Sequence, residues 1–293
     1  MNKPHFVSVV AIFKNEHRYL TQWVDYHLTV GVSHLYLYDN GGDHWELLAP
    51  YADHITYIKW TDDVAAKHYK DYPKLTRQTK AYTHCVEHFR HETEWLQLID
   101  LDEFLVPIRH ASVPEAMEAS APDKGVLRVP RINFGNAGHW YAPIADIRQL
   151  TRRERYASHF KDMGRLKNIK RVKNPHVLKA KHVTWSENLC VHHHYTRTLP
   201  EWTARARQGG GQAGKGFRVF IGQRPWLVYL TYFFLNTRSI YPLLGMFLLN
   251  GSLLLTPIAT FWWLLNLPLA SWFFFAWRRG QNEVFDPRLR KLY

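Results

Sequence analysis

The chain has 293 residues, a formal net charge of +13, 46% hydrophobic residues and 22% charged residues. That length accommodates one sizeable α/β domain with an appendage, and the composition excludes a disordered or fibrous protein. The charge predicts an anionic partner (nucleic acid, anionic lipid or a phosphorylated substrate), and the two widely separated cysteines, Cys85 and Cys190, indicate neither a disulfide framework nor a zinc knuckle.

Strand and helix patterns alternate along the first hundred residues. The β-branched apolar run at 6–13 predicts a buried central strand, and residues 19–30 place apolar side chains at helical spacing before a stop at Gly31. Further strands are predicted at 34–38, 55–60 and 95–99, and a further helix at 75–89. This alternation predicts an α/β fold with a mostly parallel sheet flanked by helices.

Acidic and amide residues follow three of the predicted strands. They are Asn15-Glu16, Asp39-Asn40 and the stretch from Asp100 to Glu103. Ligands of open parallel sheets bind at the carboxyl ends of the strands. One crevice is therefore expected to collect all three groups.

Asp100-x-Asp102 is the most informative of these groups. Two carboxylates at a strand end can hold a hard divalent cation that bridges a diphosphate, and this cation would stabilise a leaving nucleoside diphosphate. A lone motif of this kind more often is an acidic turn that simply ends a strand. The pair alone leaves both interpretations open.

Three consecutive histidines, His192 to His194, follow a predicted strand. Imidazole suits transition metals such as manganese, so one of them could complete a site begun by Asp102. In an extended segment His192 and His194 would lie on one face and His193 on the other. A solvated histidine run, in a chain with 18 histidines, is the equally weighted alternative.

Two other segments could bind phosphate or nucleic acid. Residues 209–215 approach a phosphate-binding P-loop, but Gly216 replaces the required Ser or Thr and no apolar strand precedes the segment, so a glycine-rich lid is favoured. The lysines and arginines of 161–181 are interpreted as a solvated or phosphate-facing basic patch, because no nucleic-acid module surrounds them.

The order of several short motifs resembles that of the family-2-like and family-92 glycosyltransferases. The matching motifs extend from about residue 6 to 210, and this extent makes the resemblance specific. They are Lys14-Asn15-Glu16, Trp23-x-x-Tyr26-His27, Gly31, Tyr36-x-Tyr38-Asp39-Asn40, Gln78, Asp100-x-Asp102-Glu103-Phe104, Phe134-Gly135-x-x-Gly138 and His194-Tyr195-x-Arg197-Thr198-x-x-Glu201. The chain departs from the family pattern at Arg197 and Thr198, where Lys and Ser are more usual.

The resemblance implies a GT-A fold, a Rossmann-like sheet that binds a nucleotide-sugar. It implies nucleotide-sugar contacts from a set of residues after the strands: Asn15, Glu16, Asp39, Gln78 and Asp100. It also implies a UDP-sugar donor with galactose favoured, and inversion at the anomeric carbon with a general base that deprotonates the acceptor hydroxyl.

The same resemblance assigns the catalytic turn. Asp100, Asp102 and Glu103 are implied to be catalytic, with Glu103 a sugar contact. Asp102 and His194 are implied to ligate a divalent cation, Mn²⁺ or Mg²⁺. The alternative function is a non-catalytic, membrane-associated glycan-binding protein on a degenerate transferase fold.

The C-terminal region contains an apolar segment. Residues 240–277 form a run of 38 residues without a charged side chain, whereas a helix needs about 20 to cross the hydrocarbon core. A hydrophobic, helical membrane-associating segment at 223–293 is therefore expected after a catalytic domain at 1–222. Arg238 and Arg278-Arg279 would stay on the cytosolic side, although an interfacial segment and a soluble helix pair remain alternatives.

The N-terminus has no secretory signal pattern, so the catalytic domain is expected in the cytosol. This arrangement resembles a bacterial enzyme of envelope polysaccharide or lipopolysaccharide synthesis at the cytoplasmic face of the inner membrane. The expected partners are a UDP-sugar, a glycan or lipid-linked acceptor and the membrane surface, with no nucleic acid.

Overall fold

The computed structural model describes residues 4–70, 75–120, 125–139, 141, 144–154, 157, 159–194, 196–207 and 283–285. The strands are β1 His5–Phe13, β2 His34–Asp39, β3 Ile55–Lys59, β4 Thr93–Leu98, β5 Glu103–Pro107, β6 Val126–Phe134, β7 Arg152–Glu154, β8 His159–Arg165, β9 Arg171–Asn174, β10 Val177–Lys179, β11 Val183–Trp185, β12 Leu189–His194 and β13 Glu283–Phe285. The α-helices are α1 Leu20–Thr29, α2 Trp45–Leu48, α3 Asp62–His68, α4 Arg77–His88, α5 Val113–Glu118 and α6 Leu199–Arg207.

The described residues divide into two compact units. The first holds residues 4–132 and 157–193, and the second holds residues 133–154, 194–207 and 283–285, with the gaps given above. The 222/223 domain boundary predicted from the sequence lies outside the described residues and stays a prediction.

The first unit is built on a mixed sheet with the strand order β6-β8-β4-β1-β2-β3. β1 pairs in parallel with β2 and β4, and β2 pairs in parallel with β3. β8 pairs antiparallel with both β4 and β6, and β12 pairs antiparallel with β5. The parallel part of the sheet is thus β4-β1-β2-β3, with one further short parallel pairing of β11 with β6. The prediction of a mostly parallel sheet is corrected to a mixed α/β sheet with flanking helices.

Both faces of the parallel half are covered. Along β1, β2 and β4, alternate residues such as Val10, Tyr36 and Leu98 pack into a core cluster with Tyr82 and Cys85 of α4. Residues of the opposite parity, such as Val9 and Leu35, are also buried. Burial on both faces explains why apolar residues dominate these strands without a regular apolar–polar alternation.

The helix α1 ends where the sequence predicted. Its last residue is Thr29, and Gly31 follows with φ +89°. A Cβ at Gly31 would stand 2.9 Å from Cδ of Pro114 at the start of α5. Glycine is needed there both for the left-handed backbone and for the close approach.

The second unit contains β7, β13 and α6. β13 pairs antiparallel with β7, and Phe134 at the end of β6 pairs with Arg153 of β7. Among the residues that the structure describes, no helix has the combination of length and apolar character that crossing a membrane requires. The predicted membrane-associating segment at 223–293 lies, apart from β13, outside the described residues.

Candidate active site

The carboxyl ends of the parallel strands bring the predicted polar groups to one edge of the first unit. Phe13, the last residue of β1, is in register with Asp39, the last residue of β2. On the other side of β1, Leu98 of β4 is in register with Val10, and the amide of Ile99 donates to the carbonyl of Val10 at 3.2 Å. The turns that begin at residues 14, 40 and 99 therefore leave the sheet at the same edge.

Asn15 and Glu16 occupy the turn after β1. Asn15 is exposed and has φ +57°, in the left-handed region that asparagine tolerates better than most residues. Glu16 is half-buried. The structure thus presents the Asn15 side chain to solvent at the predicted edge.

Asp39 ends β2 with a buried carboxylate that binds its own loop. Its Oδ2 accepts from His44 Nδ1 at 2.6 Å and from the Tyr57 hydroxyl at 2.6 Å, and its Oδ1 accepts from the amide of Gly41 at 3.2 Å. Burial, and secondly the hydrogen bond from its hydroxyl to Asp39, raise the pKa of Tyr57, so the phenol stays a donor at neutral pH. In the structure Asp39 orders the loop after β2, and its predicted nucleotide contact stays a prediction.

Asp100 lies in the turn after β4 and is held by the side chains of Lys161, Gln78 and Tyr82, the last donating from its hydroxyl to Asp100 Oδ1 at 3.4 Å. Lys161 of β8 donates from Nζ to Asp100 Oδ2 at 3.0 Å. The amide of Gln78 on α4 donates to Asp100 Oδ1 and also contacts the Tyr82 hydroxyl at 3.0 Å. Two residues predicted to contact the nucleotide-sugar are thus in contact: Gln78 from α4 and Asp100 from the turn after β4.

Glu103 begins β5 and is fully buried. Its Oε2 accepts from the amide of Asp100 at 2.8 Å and lies 3.0 Å from Lys161 Nζ. Its Oε1 accepts from Arg131 Nη1 at 3.0 Å. Both oxygens are therefore bound to protein, and the structure places Glu103 behind the turn, where it fixes the backbone of Asp100.

Two carboxylates and two cations thus form one network, which is buried apart from the Asp100 side chain, 32% exposed. Burial alone would raise the pKa of Asp100, but the Lys161 ammonium reverses the effect and holds this pKa below its usual value. Burial would lower the pKa of Lys161, but Asp100 and Glu103 raise it. Asp100 and Lys161 therefore form a charged pair at neutral pH.

Asp102 faces a histidine at the same turn. His193 Nε2 lies 3.3 Å from Asp102 Oδ2, and each residue is 7% exposed. β12 brings His193 there because it runs antiparallel to β5, with His193 in register with Glu103. A carboxylate oxygen and an imidazole nitrogen thus lie side by side.

His194, the predicted metal ligand, belongs to the second unit. There its ring lies 4.8 Å from the ring of Phe134, centroid to centroid. No group of three or more His, Cys, Asp or Glu side chains within the described part of the chain is arranged to hold a metal ion. The role of His194 stays a prediction.

Other pieces of the motif pattern shape the backbone of the second unit. Ala137 and Gly138 have φ of +50° and +91°, and Asn136 Oδ1 accepts from the amide of Gly138 at 3.2 Å. Ahead of α6, Thr198 Oγ1 and the Thr198 amide both donate to Glu201 Oε2, at 2.6 and 3.1 Å. The side chain of Glu201 thereby caps the start of α6.

Three residues of this region were not predicted from the sequence: Lys161, Arg131 and Tyr82. His193 lies in the predicted histidine run, but the resemblance assigned the metal ligand to His194. The prediction that the basic stretch 161–181 is solvated or phosphate-facing is wrong for Lys161, which is 0% exposed. The burial of Lys161 could have been predicted if 159–165 had been recognised as a strand, because strand alternation puts Lys161 on the same buried face as Met163. Without the pairing of β8, nothing in the sequence connects Lys161 to Asp100.

Sequence comparisons connect this chain to known proteins. The family model for glycosyltransferase family 92 matches residues 3–206, more than half of the chain. A glycosyltransferase family 92 protein of Oryza sativa subsp. japonica is 28% identical over 145 residues, which is 48% of this chain and 23% of that protein. A family 92 protein of Ricinus communis is 26% identical over 148 residues, which is 50% of this chain and 26% of that protein.

The chain thus spans about a quarter of the length of these two relatives. Among solved structures, a mannosyltransferase of Pyrobaculum calidifontis in complex with GDP-Man and Mn²⁺ is similar with a TM-score of 0.36 and 12% identity, covering 96% of this chain and 88% of that one. A TM-score of that size does not establish a shared fold.

Proposed function

The chain belongs to glycosyltransferase family 92, and from this membership we propose that it transfers a hexose, galactose foremost, from a UDP-sugar to a glycan or glycolipid acceptor. We further propose that the mixed sheet of the first unit is a GT-A nucleotide-sugar-binding fold and that the transfer inverts the anomeric carbon. The chain spans only about a quarter of the length of the two relatives above. The donor sugar, the acceptor and the stereochemistry are therefore proposed and not transferred from those relatives.

The observation that carries the proposal is the geometry of the turn from Asp100 to Glu103. It lies at the carboxyl end of β4, at the edge where Asn15 is exposed, and it places Asp102 beside His193. Ligands of open α/β sheets bind at such an edge. We propose that the nucleotide lies along it and contacts Asn15 and Glu16.

A divalent cation fits part of this site. Asp102 and His193 offer one oxygen and one nitrogen, a donor set that suits Mn²⁺, whereas Lys161 and Gln78 already bind the oxygens of Asp100. We propose that Asp102 would hold the cation with His193, and that His194 is the rival ligand. A bound cation would neutralise charge that builds on the leaving diphosphate.

The remaining side chains of the site position and orient Asp100. Lys161 and Gln78 fix both oxygens of Asp100, so this carboxylate keeps one orientation towards the donor sugar or ribose. We propose that Glu103 acts through Lys161 and through the Asp100 amide, both of which it binds, and its predicted sugar contact stays a prediction. Because these groups are already fixed, they need little reorganisation as charge develops during the reaction.

We also retain the proposed arrangement of the chain at a membrane. A catalytic domain at 1–222 would face the cytosol at the inner membrane of a bacterium, with 223–293 associated with the bilayer. The support is the sequence run of 38 residues without charge at 240–277. In this setting a lipid-linked envelope glycan is the natural acceptor.

The test is UDP release by the purified chain from UDP-galactose, UDP-glucose and UDP-N-acetylglucosamine, with Mn²⁺, with Mg²⁺ and with chelator. We expect cation-dependent release, fastest from UDP-galactose and accelerated by the correct acceptor. Release from another donor alone would reassign the sugar. If no donor is bound or cleaved while glycans still bind, the non-catalytic alternative is the better account.

A further inference from the structure

A two-stranded hairpin of the first unit carries a concentrated positive surface. β9 and β10 pair antiparallel, with Lys179 opposite Arg171 and Leu178 opposite Val172. Val172 and Leu178 are buried in the core cluster beneath the hairpin. Since residues opposite one another share a face and successive residues alternate, Arg171 and Lys179 point outward, and both are exposed.

Neighbouring cations converge on this hairpin. Asn168, Ala180 and His182 all lie against Gly125, each within 3.4 Å of the point where a Cβ would stand. The turns beside the hairpin therefore meet at one place. The exposed cations of this region form what we name the basic hairpin surface: Lys167, Lys170, Arg171, Lys173, Lys179 and Lys181.

No described acidic side chain forms an ion pair with any of these six cations. The sequence has no Asp or Glu from residue 163 to residue 186. The preceding acid, Asp162, is buried and is engaged by Arg128 and by the amide of Leu178. Like charges this close repel one another, and an anionic partner would relieve the repulsion.

An exposed apolar element continues the same segment. On β11, Trp185 is 56% exposed and Val183 is 43% exposed, and the two share a face by strand alternation. The Trp185 ring is held by Phe160, with centroids 5.6 Å apart, and by the Arg128 guanidinium 5.7 Å from its centroid. A held tryptophan and an aliphatic side chain next to lysines match a lipid interface, because Val183 gains nothing from a purely polyanionic partner.

We propose that the basic hairpin surface and Trp185 together dock the first unit on the anionic headgroups of a membrane. The cations would contact headgroup phosphates, while Trp185 and Val183 would enter the boundary between headgroups and acyl chains. This docking is independent of the transfer chemistry, so it can be tested without any donor.

The test is co-sedimentation of the full chain with vesicles of phosphatidylcholine alone or of phosphatidylcholine mixed with phosphatidylglycerol. The variant Lys170→Gln/Lys173→Gln/Lys179→Gln removes three hairpin charges. Each basic residue near an anionic surface strengthens binding roughly fivefold, so this variant should bind the mixed vesicles on the order of 100-fold more weakly.

The matched control is Lys67→Gln/Lys70→Gln/Arg109→Gln, which removes three exposed charges elsewhere on the same unit. It should keep nearly all of the binding to mixed vesicles. Because the apolar run at 240–277 is identical in all variants, its contribution cancels when the two lipid compositions are compared. Trp185→Ala should weaken vesicle binding and leave binding to soluble dextran sulfate unchanged.

Three results would overturn the proposal. The hairpin variant could bind mixed vesicles as tightly as the unaltered chain. The two triple variants could lose binding equally, which would show an effect of net charge alone. The hairpin variant could lose dextran sulfate binding only, which would assign the surface to an anionic glycan.

Discussion

At the scale of single residues, Lys161 is the group on which the candidate site depends most. Its ammonium is fully buried and lies 3.0 Å from an oxygen of Asp100 and 3.0 Å from an oxygen of Glu103. Removing one partner of a buried ion pair leaves an uncompensated charge, which costs more than the pair contributes when intact. Arg131 also pairs with Glu103 and would still compensate that carboxylate after Lys161 is removed.

Lys161→Met should therefore destabilise the fold by about 3–5 kcal/mol. Urea unfolding followed by circular dichroism measures the change. The control is Lys167→Met, because Lys167 is exposed in the same segment and its replacement should change stability by no more than about 0.5 kcal/mol. Equal stability of the two variants would show that the buried network contributes nothing.

The buried imidazole of His27 should make the free energy of unfolding depend on pH. Its ring is buried, with Nδ1 2.8 Å from the Trp23 carbonyl and Nε2 accepting from the Leu105 amide at 3.3 Å. Burial lowers the pKa of His27 from 6.5 to about 3. The unfolded chain thus binds a proton at pH values where the folded chain does not, so the contribution is present above pH 6.5 and is lost as the pH falls towards 3.

We expect the free energy of unfolding to fall as the pH is lowered through this window, with His27 supplying on the order of 4 kcal/mol of the loss. Burial also lowers the pKa values of His34 and His84 to about 4, so they contribute in the same direction. His27→Gln should reduce the pH slope between 6 and 4 without abolishing it. An unchanged slope would mean that His27 titrates normally in the folded state.

At the scale of elements, α1 fixes the start of β5 through side-chain to backbone hydrogen bonds. Trp23 Nε1 donates to the carbonyl of Glu103 at 2.7 Å, and the Tyr26 hydroxyl donates to the carbonyl of Leu105 at 3.1 Å. The strand that follows the turn after β4 is thereby held in place by a helix from the first thirty residues. This explains why the motif Trp23-x-x-Tyr26-His27 accompanies the acidic turn.

Trp23→Phe should leave the buried carbonyl of Glu103 without its donor and destabilise the fold by about 1–3 kcal/mol. Thermal unfolding gives the change. Tyr51→Phe is the control, because its hydroxyl also makes one side-chain hydrogen bond, 2.7 Å to Asp25, but at the surface. A loss no larger than that of the control would contradict the role of Trp23 in fixing β5.

The first elements were predictable from the sequence because their patterns are local. The apolar run of β1 and the helical spacing of α1 differ from the structure by one residue at most ends. The antiparallel pairing of β8 with β4 was not predictable, since HFKDMGR has no alternation that distinguishes a mixed sheet from a parallel one. Parallel order is encoded in strand–helix alternation, which ceases after β4.

The site was predictable only in part, for a similar reason. Asp100 and Asp102 could be found because a strand end and the family resemblance both mark them, and Gln78 because the resemblance marks it. The contact of Asp102 with His193 depends on the register of β12 against β5, which a run of three histidines does not specify. A shift of one residue would exchange His193 for its neighbours.

At the scale of the whole chain, charge is distributed in two different ways. Asp100 and Glu103 are paired with Lys161 and Arg131 within the first unit, while the excess of positive charge lies on exposed side chains such as those of the basic hairpin surface. Interior pairs are little affected by salt, whereas surface attraction to anions is screened. Added salt should therefore weaken membrane docking before it affects the site.

The most direct test of the proposed transferase is calorimetric titration of UDP into the unaltered chain, Asp102→Asn and Asp53→Asn, each with and without Mn²⁺. Asp53 is an exposed carboxylate on the same unit and serves as the control. Loss of a group that hydrogen-bonds a metal ligand lowers metal affinity about 10–100-fold, so loss of the ligand itself should lower metal affinity at least as much. We predict that Mn²⁺ tightens UDP binding for the unaltered chain and for Asp53→Asn but not for Asp102→Asn. Equal tightening in all three proteins, or none in any, would contradict the account.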